Sequence, residues 1–187
     1  MSVSTNDLKR GMTLDLDGTL YQIIEFQHVK PGKGGAFVRT KLRNLKTGGV
    51  VDRTFNAGVN VGLAIVERRD MQYLYRDGED LVFMDTASYE QHHVPSGIVG
   101  DLAGYLTEGA MAVVAMHEGG AIGVELPASV ILRVAGTDPG VRGDRVSGAL
   151  KPATLETGLV VQVPLFVDEG DLVKVDTRTG QYLTREK

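Results

Sequence analysis

Short β-type runs separated by glycine-bearing turns dominate this sequence, and they leave room for little except a sheet-based fold. The clearest case lies in residues 71–84, where Met71-Gln72-Tyr73-Leu74-Tyr75 and Leu81-Val82-Phe83-Met84 flank Arg76-Asp77-Gly78-Glu79. Asp-Gly accepts the positive φ values of a type I′ turn, so this stretch predicts a hairpin. Tyr73 and Tyr75 share a face of it, with core packing as the reading and a base-stacking platform as the alternative. Asp15-Leu16-Asp17-Gly18 predicts another turn, ahead of a β-rich run at 20–29. Only residues 95–106 suggest a helix. There Ile98, Leu102 and Tyr105 recur at helical spacing, weakened by Gly100 and Gly104, and the segment is expected to cap a barrel. With 24 glycines and no tryptophan, the chain reads as all-β.

Charge divides it further. Residues 1–65 carry 9 Lys+Arg against 5 Asp+Glu, residues 66–128 carry 3 against 11, and residues 129–187 carry 8 against 8. The change of character near Val66 marks a domain boundary, so three domains are expected at 1–65, 66–128 and 129–187. The basic front suits local contact with RNA, and the acidic middle suits either a solvated surface or a basic partner. Strands are expected at 111–116, 121–126 and 130–134, then at 149–155, 158–163, 171–176 and 181–184. Short strands with regular turns suggest five-stranded barrels of the OB type for the second and third blocks. No self-similarity between those two blocks is evident.

The residues for catalysis do not assemble. The chain has no cysteine, which removes disulfides and thiolate chemistry and agrees with a reducing compartment. Gly32-Lys33-Gly34-Gly35 lacks the spacing of a phosphate-binding loop. His92 and His93 are strand neighbours whose side chains point to opposite faces, and His117-Glu118 lacks a second histidine. No cofactor and no metal are expected. The polar N-terminus lacks a signal-peptide core, and no run approaches the roughly 18 apolar residues of a membrane span, so a cytoplasmic protein without a membrane partner is expected.

One cation stands apart. Lys33 is the only long side chain between Pro31 and Ala36, so a hairpin formed by the flanks would present it on a narrow tip of Lys30, Pro31, Gly32, Gly34 and Gly35. Beyond it, residues 37–45 alternate. Val38, Thr40 and Leu42 lie on one face, and Phe37, Arg39, Lys41 and Arg43 on the other. The three cations form either a ladder for RNA backbone or a charged, solvated strand face.

The third block contains Lys151, Ala153, Gly158, Val161, Val163, Pro164, Val167 and Gly170 at the spacing K-x-A-x4-G-x2-[LV]-x-V-P-x2-[LIV]-x2-G. Across residues 151–170 this resembles the signature of bacterial translation elongation factor P at every fixed position. The likeness extends to the Lys-Pro-Gly-Lys-Gly loop, to Thr54-Phe55-Asn56-Ala57-Gly58, to residues 71–75 and to Val175-Asp176-Thr177-Arg178-Thr179-Gly180. The resemblance implies an SH3-like barrel followed by two OB-fold barrels in an L-shaped arrangement of roughly tRNA shape. It implies a non-enzymatic factor that binds the ribosome between the peptidyl-tRNA and exit sites and relieves stalling at consecutive prolines. By the same resemblance Lys33 reaches the CCA end of the peptidyl-tRNA and is a candidate for a lysine-modifying enzyme. Gly143, Asp144, Arg145, Val146, Ser147 and Gly148 map onto a loop that approaches mRNA in the exit site, with Arg145 and Val146 departing from the family's Gly-Asp-Thr pattern. Some family branches stiffen the tip loop with proline. Residue 35 is glycine here, so either Lys33 is modified or the loop draws rigidity from contacts elsewhere. The alternative class is a single-stranded RNA-binding OB protein of the cold-shock type, which calls for basic, aromatic-rich faces; a purely structural scaffold is a third.

Overall fold

The computed structural model describes residues 1–140 and 148–187. Its first sheet has six strands: β1 (Ser2–Ser4), β2 (Thr13–Leu16), β3 (Thr19–Val29), β4 (Phe37–Asn44), β5 (Val50–Asn56) and β6 (Asn60–Ala64), in the order β1-β6-β2-β3-β4-β5. Leu8, Leu14, Ile23, Val38 and Leu42 are buried together beneath it, with Val3, Met12, Tyr21, Phe55 and Val61 packed around them. The sequence pattern misses β1 and β6. One is three residues long and the other carries Asn60 and Gly62, so neither shows a usable alternation, yet β6 fills the gap between β1 and β2.

The second sheet comprises β7 (Glu67–Asp77), β8 (Asp80–Asp85), β9 (Gln91–Pro95), β10 (Met111–His117) and β11 (Gly120–Glu125), ordered β11-β10-β7-β8-β9. The third comprises β12 (Ser129–Thr137), β13 (Leu150–Leu155), β14 (Val160–Pro164), β15 (Leu172–Asp176) and β16 (Tyr182–Glu186), ordered β14-β13-β12-β15-β16. Numbered from its own first strand, each of these sheets runs 3-2-1-4-5, the order of an OB barrel opened between strands 3 and 5. The all-β expectation is borne out, and the two OB-type sheets share a topology that their sequences do not reveal. By compactness the chain forms two units, Met1–Arg69 with Val114–Gly123 and Asp70–Val113 with Val124–Lys187.

Three local expectations change. The helix at 95–106 is two pieces, α1 (Ser96–Val99) and a 3-10 turn at Gly100–Tyr105, because Gly100 adopts a φ of +57° and ends the α-helical path. Its apolar side still works as a cap: Tyr105 is buried, and Leu102 packs beside it, in the core of the third sheet with Leu132, Val134, Leu155 and Val161. The residue 71–84 hairpin forms, but Asp77 pairs with Asp80, which leaves Gly78 and Glu79 as the two turn residues. Only Gly78 has positive φ (+61°), the pattern of a type II′ turn with glycine first, not type I′. The type I′ turn occurs instead at Asp17 and Gly18, at φ +55° and +80°, between the paired Leu16 and Thr19. Finally, the β7–β8 register shifts between Tyr73 and Tyr75. Tyr73 packs on Phe83, ring centroids 5.5 Å apart, whereas Tyr75 is half exposed, so the pair forms neither a joint core contact nor one platform.

One hairpin loop recurs in all three sheets, at residues 44–49, 85–90 and 176–181. The side-chain oxygen of Asn44, Asp85 or Asp176 accepts hydrogen bonds from the backbone N–H groups two and three residues on. A hydroxyl, from Thr47, Ser88 or Thr179, accepts from the N–H two residues beyond it. The N–H of the fifth residue returns to the carbonyl of the first. The loops join different strand pairs, so they are the same because a four-residue turn requires the same hydrogen bonds, and not because of their place in a duplicated barrel.

In the last copy, the N–H groups of Arg178 and Thr179 hold the Asp176 carboxyl below the usual carboxylate range. A depressed folded value stabilises the protein above the unfolded value of about 4 and ceases to as pH falls through the folded one. Asn44 shows that asparagine fits the position. Melting curves of wild type and Asp176→Asn are therefore expected to differ most near neutral pH, with wild type higher, and to converge in acid. A pH-independent difference would contradict this role.

Candidate nucleic-acid interface

β3 and β4 pair around Lys33 with nearly symmetric register. Val29 faces Phe37 and Glu25 faces Lys41, so each pair lies equally far on either side of residue 33. A bulge between Ile23 and Glu25 then shifts the register by one, returning Ile23 to the core opposite Leu42. Lys33 thus occupies the apex of the longest hairpin in the first sheet. Lys30, Pro31, Gly32, Lys33, Gly34 and Gly35 are all exposed, and among the described residues Lys33 has no hydrogen-bond or ion-pair partner.

The loop takes its shape from one glycine and is tied down at its base. Gly34 takes a φ of +105°, which side chains disfavour, and a Cβ built on it would rest 4.0 Å from the Pro31 ring. The loop's base is tied to the end of β5 by the Ala57 N–H, which donates to the Ala36 carbonyl at 2.9 Å. This hydrogen bond is a contact outside the loop of the kind that would lend it rigidity in place of a second proline.

β4 alternates as its sequence predicts: Val38, Thr40 and Leu42 are buried and Arg39 and Arg43 exposed. The cations are not equivalent, however. Lys41 lies between Glu25 on β3 and Asp52 on β5 and makes an ion pair with Glu25 at 3.3 Å. Arg39 has Gln27 and Thr54 as its cross-strand partners, and its guanidinium lies over the Phe37 ring at 5.4 Å. Arg43 has Gln22 and Val50. The rows Gln27-Arg39-Thr54 and Glu25-Lys41-Asp52 border a shallow depression of about 460 Å³. The sequence shows all three cations in register but not the carboxylates that neighbour one of them, because those become visible only with the strand pairing.

The remaining candidates separate. Residues 143–147 of the proposed mRNA loop lie outside the described residues; Gly148 at its end is exposed, with a φ of +92°. His93 lies 3.8 and 3.9 Å from the carboxylates of Asp77 and Asp80, while the Nε2 of its neighbour His92 is buried and has no hydrogen-bond partner among the described residues. His117 Nδ1 lies 2.8 Å from the Ile65 carbonyl oxygen. Among the described residues no group of three His, Asp or Glu side chains could hold a metal ion, and no helix is long and apolar enough to cross a membrane.

The signature at 151–170 is a packing motif. Lys151 is buried, and its Nζ donates to the Asp138 carbonyl at 2.7 Å. Ala153, Val161, Val163 and Val167 belong to the core of the third sheet. Gly158 and Gly170 have φ values of +88° and +89°. The signature specifies how this barrel folds, and the exposed lysine tip lies in a different sheet.

Comparison with known proteins covers the same ground domain by domain. Residues 4–61 match the elongation factor P (EF-P) KOW-like domain, residues 66–124 the elongation factor P (EF-P) OB domain, and residues 130–185 the elongation factor P C-terminal domain. Elongation factor P of Acidothermus cellulolyticus is 64% identical over 182 residues, 97% of either chain. Those of Frankia casuarinae and Mycobacterium avium are 62% and 59% identical with the same coverage. Among solved structures, eukaryotic translation initiation factor 5A from Methanococcus jannaschii shares the fold with a TM-score of 0.54 at 24% identity, over 65% of this chain and 90% of its own. Three matched domains in order, and relatives aligned almost end to end, select the elongation-factor reading over the cold-shock type: the chain belongs to the elongation factor P family of translation elongation factors.

Proposed function

We propose that this factor acts in the cytoplasm on ribosomes stalled at consecutive prolines. It binds between the peptidyl-tRNA and exit sites, with its three domains at 1–65, 66–128 and 129–187, and holds the CCA end of the peptidyl-tRNA in a reactive orientation. The observation that carries this reading is the position of Lys33, an exposed cation at the midpoint of a long hairpin. Family membership supports translation as its setting.

Proline is an awkward participant in peptide-bond formation, since its ring fixes φ and restricts the chain. Orientation alone lowers barriers by several kcal/mol in well-arranged systems, so the factor needs no general base. A lysine ammonium offers three donors to phosphate and 2′-hydroxyl oxygens. Arg39 and Arg43 have no carboxylate as a cross-strand partner and serve as RNA-backbone contacts. Lys41, already paired with Glu25, contributes less.

Purified factor added to a reconstituted translation system that lacks its own elongation factor P tests the reading. Relief of the pause on a message encoding a proline run, with no change on a proline-free message, is the expected result. Equal yields with and without the factor would contradict it.

A further inference from the structure

The hairpin loop shared by the three sheets differs in one place. Its fifth residue has positive φ in each copy: Gly48 at +74°, Gly180 at +71°, and Tyr89 at +61°. Glycine takes this conformation without penalty, whereas a bulky aromatic there is a backbone outlier. The Tyr89 ring compensates with no packing. It is 72% exposed and, among the described residues, makes no ring contact. The turn itself needs only the hydrogen bonds of Asp85 and Ser88, which its glycine-bearing counterparts make equally well. Folding therefore gives no reason for the ring, and a partner does.

The surroundings define that partner. The backbone N–H and hydroxyl of Thr86, in the same turn, both donate to the Asp70 carbonyl, at 3.1 and 3.0 Å. Asp70 also borders a depression of about 260 Å³, whose other walls are Met111, Ala112, Val113, Glu125, Leu126 and Pro127. An apolar floor from Met111, Leu126 and Pro127 with the exposed Asp70 at the rim suits the aliphatic stem and charged head of a lysine or arginine. An aromatic face attracts cations as well. Residues 66–128 carry 11 acidic against 3 basic side chains, which repels phosphate and favours basic polypeptide.

We propose that Tyr89 and the Asp70–Met111 depression form a docking surface for a Lys/Arg-rich protein segment of the ribosome. One cation of that segment sits on the Tyr89 ring and another in the depression. The proposal rests on the ribosome-binding reading above and adds a protein contact, made by the acidic domain, to the RNA contacts of the first.

The test measures binding of the full chain to purified ribosomes, together with its melting temperature. Loss of one cation–π contact predicts that Tyr89→Gly binds about 3- to 30-fold more weakly. Its melting temperature is expected to be unchanged or a few degrees higher, because glycine relieves the backbone. Tyr89→Phe, which keeps the ring, should bind within about twofold of wild type. A photo-crosslinking residue at position 89 should attach to basic protein segments. Wild-type affinity in Tyr89→Gly, a lowered melting temperature, or crosslinks confined to ribosomal RNA would overturn the proposal while leaving ribosome binding intact. Failure of wild type itself to bind would remove the broader reading and this one together.

Discussion

Replacing Lys33 by alanine is expected to abolish most of the relief of proline-run stalling while leaving the protein folded. Lys33 is exposed and has no ion-pair or hydrogen-bond partner among the described residues. A surface substitution of that kind changes stability by less than about 0.5 kcal/mol. The expected loss in activity follows from the proposed contact of the ammonium with RNA. A hydrogen bond to a charged group contributes about 1.5–3 kcal/mol, so if it is realised in the reactive arrangement its loss slows the assisted step roughly ten- to hundred-fold. Lys33→Arg keeps the charge but replaces a compact, rotatable donor with a planar fork, and intermediate activity is expected. Full relief by Lys33→Ala in the reconstituted system would remove the tip from the mechanism. Peptide mapping across Lys33 in protein from the native host would report its covalent state, since an exposed amine at a hairpin apex is open to a modifying enzyme.

The second large effect is on folding, at Gly62. This residue lies in β6, paired with Ser2 on one side and Asp15 on the other. Its φ is unremarkable, so the requirement for glycine is one of space: a Cβ here would overlap the Asp15 carbonyl oxygen, with the Asp15 carbonyl carbon 3.4 Å away. Backbone cannot move aside as a flexible side chain can. Gly62→Ala is expected to cost about 2–3 kcal/mol through overpacking and forced strand separation. For a chain of this size that lowers the melting temperature by roughly 5–10 °C. A melting temperature within a degree of wild type would show that β6 and β2 can separate freely.

These two residues illustrate what the sequence makes legible. Lys33 stands out because glycine and proline isolate it, and the symmetric register around it follows once the flanks are read as strands. Gly62 is invisible, since nothing nearby announces that β6 runs beside Asp15. The bulge after Ile23 is equally hidden, and with it the Glu25 and Asp52 carboxylates on either side of Lys41. The helical spacing identifies Leu102 and Tyr105 as inward-facing, but not the burial of Val99 next to Ile98 or the break at Gly100, which depend on backbone conformation. Tyr89 escapes notice because a turn reads as polar punctuation; only beside Gly48 and Gly180 is its conformation out of place. The family likeness enters through residues 151–170, whose fixed positions are core side chains, a buried lysine, a half-buried proline and positive-φ glycines. Family is therefore recognised from folding constraints in the last sheet, while the proposed function depends on an exposed side chain in the first.

The central claim is that Lys33 meets the acceptor end of the peptidyl-tRNA. The most direct measurement places a short photo-crosslinking side chain at position 33 and irradiates the factor on ribosomes stalled within a proline run. Crosslinks to the CCA nucleotides of the peptidyl-tRNA, reduced on ribosomes translating a proline-free message, are the predicted result. Crosslinks that fall elsewhere on the ribosome and never on the acceptor end would contradict it.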